Sequence, residues 1–158
     1  MSRAPINVLV LPFRLNTSGK HEYAILKRVD KGLHHGIWQF ISGGAEDNET
    51  KEEAVKRETF EETGITSDSK FYKLDSEFTV PRFNFPVASE IWPKNIYAIP
   101  NYCYAVDCSD SEIILSHEHS EYKWCLYPEC YDMLYFLSNK NALWELHQRL
   151  NSDDMLLI

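Results

Sequence analysis

Residues 43–65 constrain this chain more than any other stretch: Gly-Gly-Ala-Glu-Asp-Asn-Glu-Thr-Lys-Glu-Glu-Ala-Val-Lys-Arg-Glu-Thr-Phe-Glu-Glu-Thr-Gly-Ile. A glycine pair opens it, a run of helix formers follows, and a further glycine closes it. Thr50 has the side chain of an N-cap, and Glu53 three residues on completes a capping box. Gly64 supplies the left-handed residue that ends a helix. The pattern predicts a helix over Lys51–Thr63, entered from a tight turn at Gly43 and Gly44. On that helix Glu58, Glu61 and Glu62 stand at i, i+3 and i+4, so three carboxylates share one face. Like charges at that spacing cost about 0.2–0.5 kcal/mol per pair in an isolated helix. A divalent cation would turn the cost into a binding site. Magnesium, which takes one or two carboxylates plus phosphate oxygens, suits such a group.

The same helix carries opposite charges at i,i+4 in Glu52–Lys56, Glu53–Arg57 and Arg57–Glu61, which would also support a solvated acidic face with no ligand. The spacing of the whole stretch goes further. From Gly43, Glu49 follows after five residues, Arg57-Glu58 after seven more, then Glu61-Glu62, Gly64 and Ile65. This resembles the box of the Nudix family: Gly, five residues, Glu, seven residues, Arg-Glu, an apolar residue, any residue, Glu-Glu, any residue, Gly, apolar. Thr59 departs from it, standing where the family has an aliphatic residue. Threonine is half apolar and can fill a small pocket.

The resemblance implies an α/β fold, a Nudix-type α/β/α sandwich with a mixed β-sheet, as a single domain over residues 1–158. It implies an enzyme that uses water and Mg2+, with Mn2+ as a substitute, to cleave a nucleoside diphosphate linked to another moiety. Glu58, Glu61 and Glu62 would hold the metal, with Glu61 as ligand or general base. Arg57 would pair with Glu49 and orient the helix, and Gly43 and Gly44 would let the backbone turn beside metal and substrate. A further acid is often supplied from outside the box. In Ser116-His-Glu-His-Ser-Glu121, Glu118 is the candidate ligand or base and His119 the competing base. On composition alone the segment also reads as a polar surface loop.

Outside the box the chain resembles bacterial dihydroneopterin triphosphate (dATP) pyrophosphohydrolases. Trp38-Gln39-Phe40-Ile41-Ser42-Gly43, Glu118-His119-Ser120-Glu121-Tyr122-Lys123-Trp124 and Ser138-Asn139-Lys140-Asn141-Ala142 carry the likeness. It implies a small nucleotide or pterin triphosphate as substrate, with Arg3, Arg28, Ser42 and Ser138 as contacts. By family habit it also implies a homodimer. Pro81, sixteen residues after Ile65, points instead to ADP-sugar pyrophosphatases. A diadenosine polyphosphate hydrolase and a non-catalytic nucleotide-binding module are further alternatives. Phe83, Phe85, Trp92 and Tyr97 are candidates to stack on a base or pterin ring, or simply to pack the core.

Composition limits the classes. With 158 residues, 44% hydrophobic and 25% charged, the chain can bury a sizeable core. It has no apolar run long enough to cross a membrane, and its start reads as a strand rather than a signal peptide. The cytoplasm is the expected compartment. A net charge of −8 argues against long nucleic acid as partner. Cys103, Cys108, Cys125 and Cys130 invite a zinc reading, but buried free thiols fit a reducing compartment.

Strands are expected at Ile6–Arg14, Glu22–Arg28, Ile37–Ile41, Phe71–Val80, Asn101–Cys108, Glu112–Leu115 and Tyr122–Leu126. Turn chemistry at 16–20 makes the first two a hairpin, and 29–36 is a loop carrying Lys31, His34 and His35. Residues 81–100, with four prolines, read as a stiffened loop with a strand in it. Helices are expected over 128–137 and 141–150.

Overall fold

The computed structural model describes residues 3–29, 32 and 34–158. Lys31, placed in a loop by sequence, lies outside the described residues. The strands are β1 (Arg3–Leu15), β2 (His21–Arg28), β3 (Trp38–Gln39), β4 (Ile41–Glu46), β5 (Phe71–Pro81), β6 (Ala98–Asp107), β7 (His119–Cys125) and β8 (Leu156–Leu157). The helices are α1 (Lys51–Thr63), α2 (Tyr127–Met133) and α3 (Leu137–Asn151). The main strand order is β3-β2-β1-β6-β5-β8, with β4 also paired to β1 and β7 to β2. β1 and β6 run parallel while the remaining pairs are antiparallel, so the sheet is mixed.

β1 organises the molecule because its side chains alternate between two cores. Leu9, Leu11 and Phe13 join Tyr23, Ile25 and Phe40 beneath α2 and α3, whose Cys130, Ala142, Leu143 and Leu146 close that side. Val8 and Val10 join Ala24, Ile41, Tyr104 and Val106 beneath α1, which adds Ala54 and Val55. A period of two on a strand covered by helices on both faces is the α/β/α sandwich that the sequence implies. Each fully buried aliphatic side chain stabilises this arrangement by about 1.5–3 kcal/mol.

The β1–β2 turn forms as expected, with Asn16 Oδ1 accepting from Ser18 N and Lys20 N, both at 2.9 Å. α1 also keeps its expected ends. Thr50 and Glu53 make a reciprocal capping box, and Gly64 closes the helix at φ 75° with its N–H on Phe60 O. Thr59 is fully buried on the inner face of α1.

Four expectations are corrected. Gly43 and Gly44 do not form a turn; they are extended within β4, in register with Val8 and Asn7 of β1. Residues 112–115 are not a strand. Their loop laces onto the end of α1, with Ile114 N on Thr63 O and Ser116 N on Glu62 O, so carbonyls orphaned by the helix terminus take those N–H groups. Residues 82–97 hold two 3-10 turns, Arg82–Asn84 and Ala88–Ile91, and no inner strand. The first C-terminal helix stops at Met133 because Leu134, 2% exposed, turns extended and bridges to Trp38; α3 then begins at Leu137.

The four cysteines are free and buried. Cys103, Cys125 and Cys130 lie in one core and Cys108 in the other, so the sheet separates them and they cannot share one zinc ion.

Thr59 Oγ1 is buried without a hydrogen-bond partner. Thr59→Val keeps the shape and removes an unsatisfied hydroxyl, so chemical denaturation is expected to show stabilisation by about 1 kcal/mol.

Candidate active site

β4 delivers the chain to α1 through a turn in which Glu49 N bonds Glu46 O at 3.1 Å and Glu49 Oε1 accepts from Glu46 N at 2.9 Å. Glu49 then meets Arg57, nearly two helical turns into α1. Arg57 Nε donates to Glu49 Oε2 at 2.8 Å and Nη2 to Glu49 Oε1 at 3.0 Å, a bidentate pair. Nη2 also reaches Gly44 O at 2.8 Å, and Nη1 reaches Glu58 at 3.0 Å and Glu61 at 3.2 Å. Hydrogen bonds to Glu49 push the guanidinium pKa up against the effect of burial. The same bonds hold the Glu49 carboxyl below its usual range.

The acids of the helix face three environments. Glu61 is half exposed and bonded to Arg57. Glu58 is mostly buried; desolvation raises its pKa, opposed by Arg57. Glu62 is 1% exposed, and neither of its oxygens accepts a hydrogen bond. Desolvation raises its pKa most, followed by the charges of Glu58 and Glu118. His119, itself buried, brings Nδ1 to 3.7 Å from Glu62 Oε1.

The box glycines are small because side chains lie over them. A Cβ on Gly43 would collide with the Glu58 carboxylate, and one on Gly44 with the Arg3 guanidinium. Arg3 bonds Asn7 and packs against Phe85 and Trp92, its Cζ 5.3 and 5.8 Å from their ring centroids. Burial lowers the Arg3 pKa, and Glu58 counters that effect.

These groups border a cleft of about 410 Å³. Of the residues singled out by sequence, Arg3, Arg28, Ser42, Gly43, Gly44, Glu62, Glu118 and His119 line it. Glu118 is exposed at its rim. Ser138 does not line the cleft; it sits at the start of α3 beside Asn139, whose Oδ1 accepts from Phe40 N at 3.0 Å. Phe85, a candidate to stack on a ring, lines it too, whereas Phe83, Trp92 and Tyr97 do not; Asn7, Gln39 and His117 also line it and were given no role by sequence. Gln39 stood in the Trp38–Gly43 stretch without a role of its own, and Asn7 had no signal, because cross-strand register places it.

The chemistry of the donor set fits a hard divalent cation: one buried carboxylate without a hydrogen-bond donor, with a second beside it. Among the described residues, no three His, Cys, Asp or Glu side chains already stand as a completed metal site. Glu58 and Glu62 supply a pair, and Glu118 lines the same cleft close enough for its charge to act on Glu62.

The NUDIX domain profile matches residues 5–144, which covers both the box and the strand carrying Glu118's neighbours. The chain belongs to the Nudix family. A candidate NUDIX hydrolase of Listeria monocytogenes is 38% identical, with a TM-score of 0.84 over 98% of this chain and 100% of that one. The asymmetrical bis(5'-nucleosyl)-tetraphosphatase of Rattus norvegicus is 32% identical over 83% of this chain and 82% of its own. The dihydroneopterin triphosphate pyrophosphohydrolase of E. coli has a TM-score of 0.71 over 94% and 99% at 20% identity, which shows the Nudix fold alone. The chain spans 57% of the length of the Aliivibrio fischeri RNA pyrophosphohydrolase that it matches at 26% identity.

Because the atoms that Gly43→Ala would strike are the end of a flexible side chain, this variant is expected to stay within about 1 kcal/mol of the parent in stability. Displacing the Glu58 carboxylate should nonetheless weaken Mg2+ binding at least about tenfold by calorimetric titration.

Proposed function

We propose that this Nudix protein is a magnesium-dependent pyrophosphohydrolase that cleaves a nucleoside or pterin triphosphate to the monophosphate and pyrophosphate. The observation that carries this reading is Glu62, a buried carboxylate with both oxygens unsatisfied, facing Glu58 at the edge of a cleft. A carboxylate in that setting costs several kcal/mol unless it is protonated or paired with a cation.

Glu58 and Glu62 would hold the metal. A bound divalent cation would neutralise the anhydride oxygens and acidify water. Arg57 keeps Glu58 in place and spans the strand and helix so that the pair keeps its spacing. Arg3, fixed over Gly44 next to Glu58, offers the cleft a cationic donor for a phosphate oxygen. Arg28 lines the same cleft, with Nη1 3.5 Å from Gln39 Oε1. Glu118, exposed at the rim, is the group best placed to take a proton from water, because Glu61 is engaged by Arg57 and Glu62 is buried. His119 packs against Glu62 and so supports it rather than serving as base.

A second reading, hydrolysis of a bis-nucleosyl tetraphosphate into unequal halves, is favoured by the 32% identity to the rat tetraphosphatase. The ADP-sugar reading loses its support: Pro81 ends β5 in register with Ala98 and does not line the cleft. The complete set of box carboxylates argues against a non-catalytic module, and the charge of −8 against a long polyanion as ligand. No helix among the described residues is long and apolar enough to cross a bilayer.

Incubation with Mg2+ and dihydroneopterin triphosphate, dATP, other nucleoside triphosphates, ADP-ribose or diadenosine polyphosphates tests the reading. Pyrophosphate plus a monophosphate is the expected product pair. Unequal nucleotide halves would transfer the assignment to the second reading, and a sugar phosphate plus AMP would defeat both. Glu62→Gln removes the buried charge and keeps the volume. It is expected to lower kcat by about a thousandfold or more, to raise the melting midpoint of the metal-free protein, and to abolish the further rise that Mg2+ gives the parent.

A further inference from the structure

We propose that Phe85 and Arg3 form the wall that reads the aromatic ring of the substrate, and that Arg82 is the residue that positions this wall. The proposal rests on the hydrolytic reading of the cleft and adds the part of the substrate that the box does not touch.

The segment between β5 and β6 is built around one guanidinium. Arg82 Nη1 donates to Pro93 O at 2.6 Å and Ile96 O at 3.0 Å, and Nη2 donates to Trp92 O at 3.1 Å and to Ser89 O. Four carbonyls from a segment that has no ladder of its own thus converge on one cation. Arg82 N also bonds Tyr97 O at 2.9 Å, closing the base of the segment.

This folding sends two aromatic side chains inward. Trp92 is 5% exposed and donates Nε1–H to Arg3 O at 2.7 Å, which pins the segment to the start of β1. Phe85 meets Trp92 edge to face, with centroids 5.8 Å apart at 62°, and remains partly exposed where it lines the cleft. Arg3 lies against both rings on one side and over Gly44 on the other. The order across β4 is therefore the Glu58 carboxylate at Gly43, the Arg3 guanidinium at Gly44, and the Phe85 ring beyond. A triphosphate ending in a flat ring has the same order of groups: anhydride, the innermost phosphate, then the ring across a short sugar or side-chain spacer. Base–aromatic stacking tolerates any flat ring, so Phe85 selects for a ring without naming the base.

The test measures KM and kcat for the best triphosphate substrate. It also measures the Kd of the α,β-methylene analogue of dATP by calorimetry with Mg2+. The proteins are wild type, Phe85→Ala, Phe85→Trp, Arg82→Gln and Phe83→Ala, each checked by its melting midpoint. Phe83 is 78% exposed on the same segment and does not line the cleft, so it controls for disturbance of the loop. Phe85→Ala and Arg82→Gln are expected to raise KM and Kd about tenfold or more while kcat changes less than about threefold. Phe85→Trp should restore binding, and Phe83→Ala should match the parent. The idea is overturned if Phe85→Ala behaves like Phe83→Ala, if Phe85→Trp binds as weakly as Phe85→Ala, or if the wild type binds no ring-bearing triphosphate. A wild type that binds the analogue with these rankings but turns nothing over would defeat the hydrolytic reading and keep the ring wall.

Discussion

Arg57 is the hinge of the electrostatics. A guanidinium has five N–H donors, and here they reach Glu49 twice, Glu58, Glu61 and the carbonyl of Gly44. One side chain therefore ties strand to helix and cancels most of the repulsion along the outer part of the acidic face. It does not reach Glu62. The carboxyl it leaves without a cationic partner is the one buried deepest, whose charged form burial and the charges of Glu58 and Glu118 disfavour until a cation is bound. A helix with its acids paired throughout would be a better surface helix and would have no reason to hold a cation. The uneven reach of Arg57 turns an acidic stripe into a site with a deficit of positive charge at one point.

That deficit is stable only because the backbone around it is stiff. Gly43 and Gly44 are held in the ladder with β1, so the Glu58 carboxylate and the Arg3 guanidinium rest on strand backbone rather than on a mobile turn. The loop after β6 is stitched to the last carbonyls of α1, which brings Glu118 and His119 to the same helix end. The carbonyls at a helix terminus must find donors somewhere. In this fold the donors come from the segment that carries Glu118 and His119, so satisfying the helix end also brings those side chains to the cleft.

The sequence revealed what is local and concealed what is long-range. Capping by Thr50 and Glu53, the stop at Gly64 and the shared face of Glu58, Glu61 and Glu62 depend on neighbours within one or two turns, and all were legible. The role of the glycine pair was misread, because a strand glycine under a distant arginine looks like a turn glycine until the register with β1 is known. Arg3 could be named by resemblance, but its partners Phe85 and Trp92 lie some eighty positions away and have no periodic signature. The break between α2 and α3 was hidden for the same reason: Leu134 leaves the helix to meet Trp38, a contact that no helical period encodes.

The two halves of the site are also held by different physics. The carboxylate half is fixed by an apolar core on one side of α1 and by Arg57 on the other, so a change there disturbs packing and charge together. The ring-facing half is fixed by hydrogen bonds from Arg82 to carbonyls, with Phe83, Val87, Ile91 and Tyr97 left largely exposed around it. A long connection pays closure entropy that grows only slowly with its length, and charged donors to four carbonyls offset that cost without using a hydrophobic core. Side chains on such a segment can differ without altering the sheet beneath. The proposed hydrolysis and the proposed ring selection are therefore separable in this molecule, because the box belongs to the sandwich and the wall belongs to a loop with a polar centre of its own.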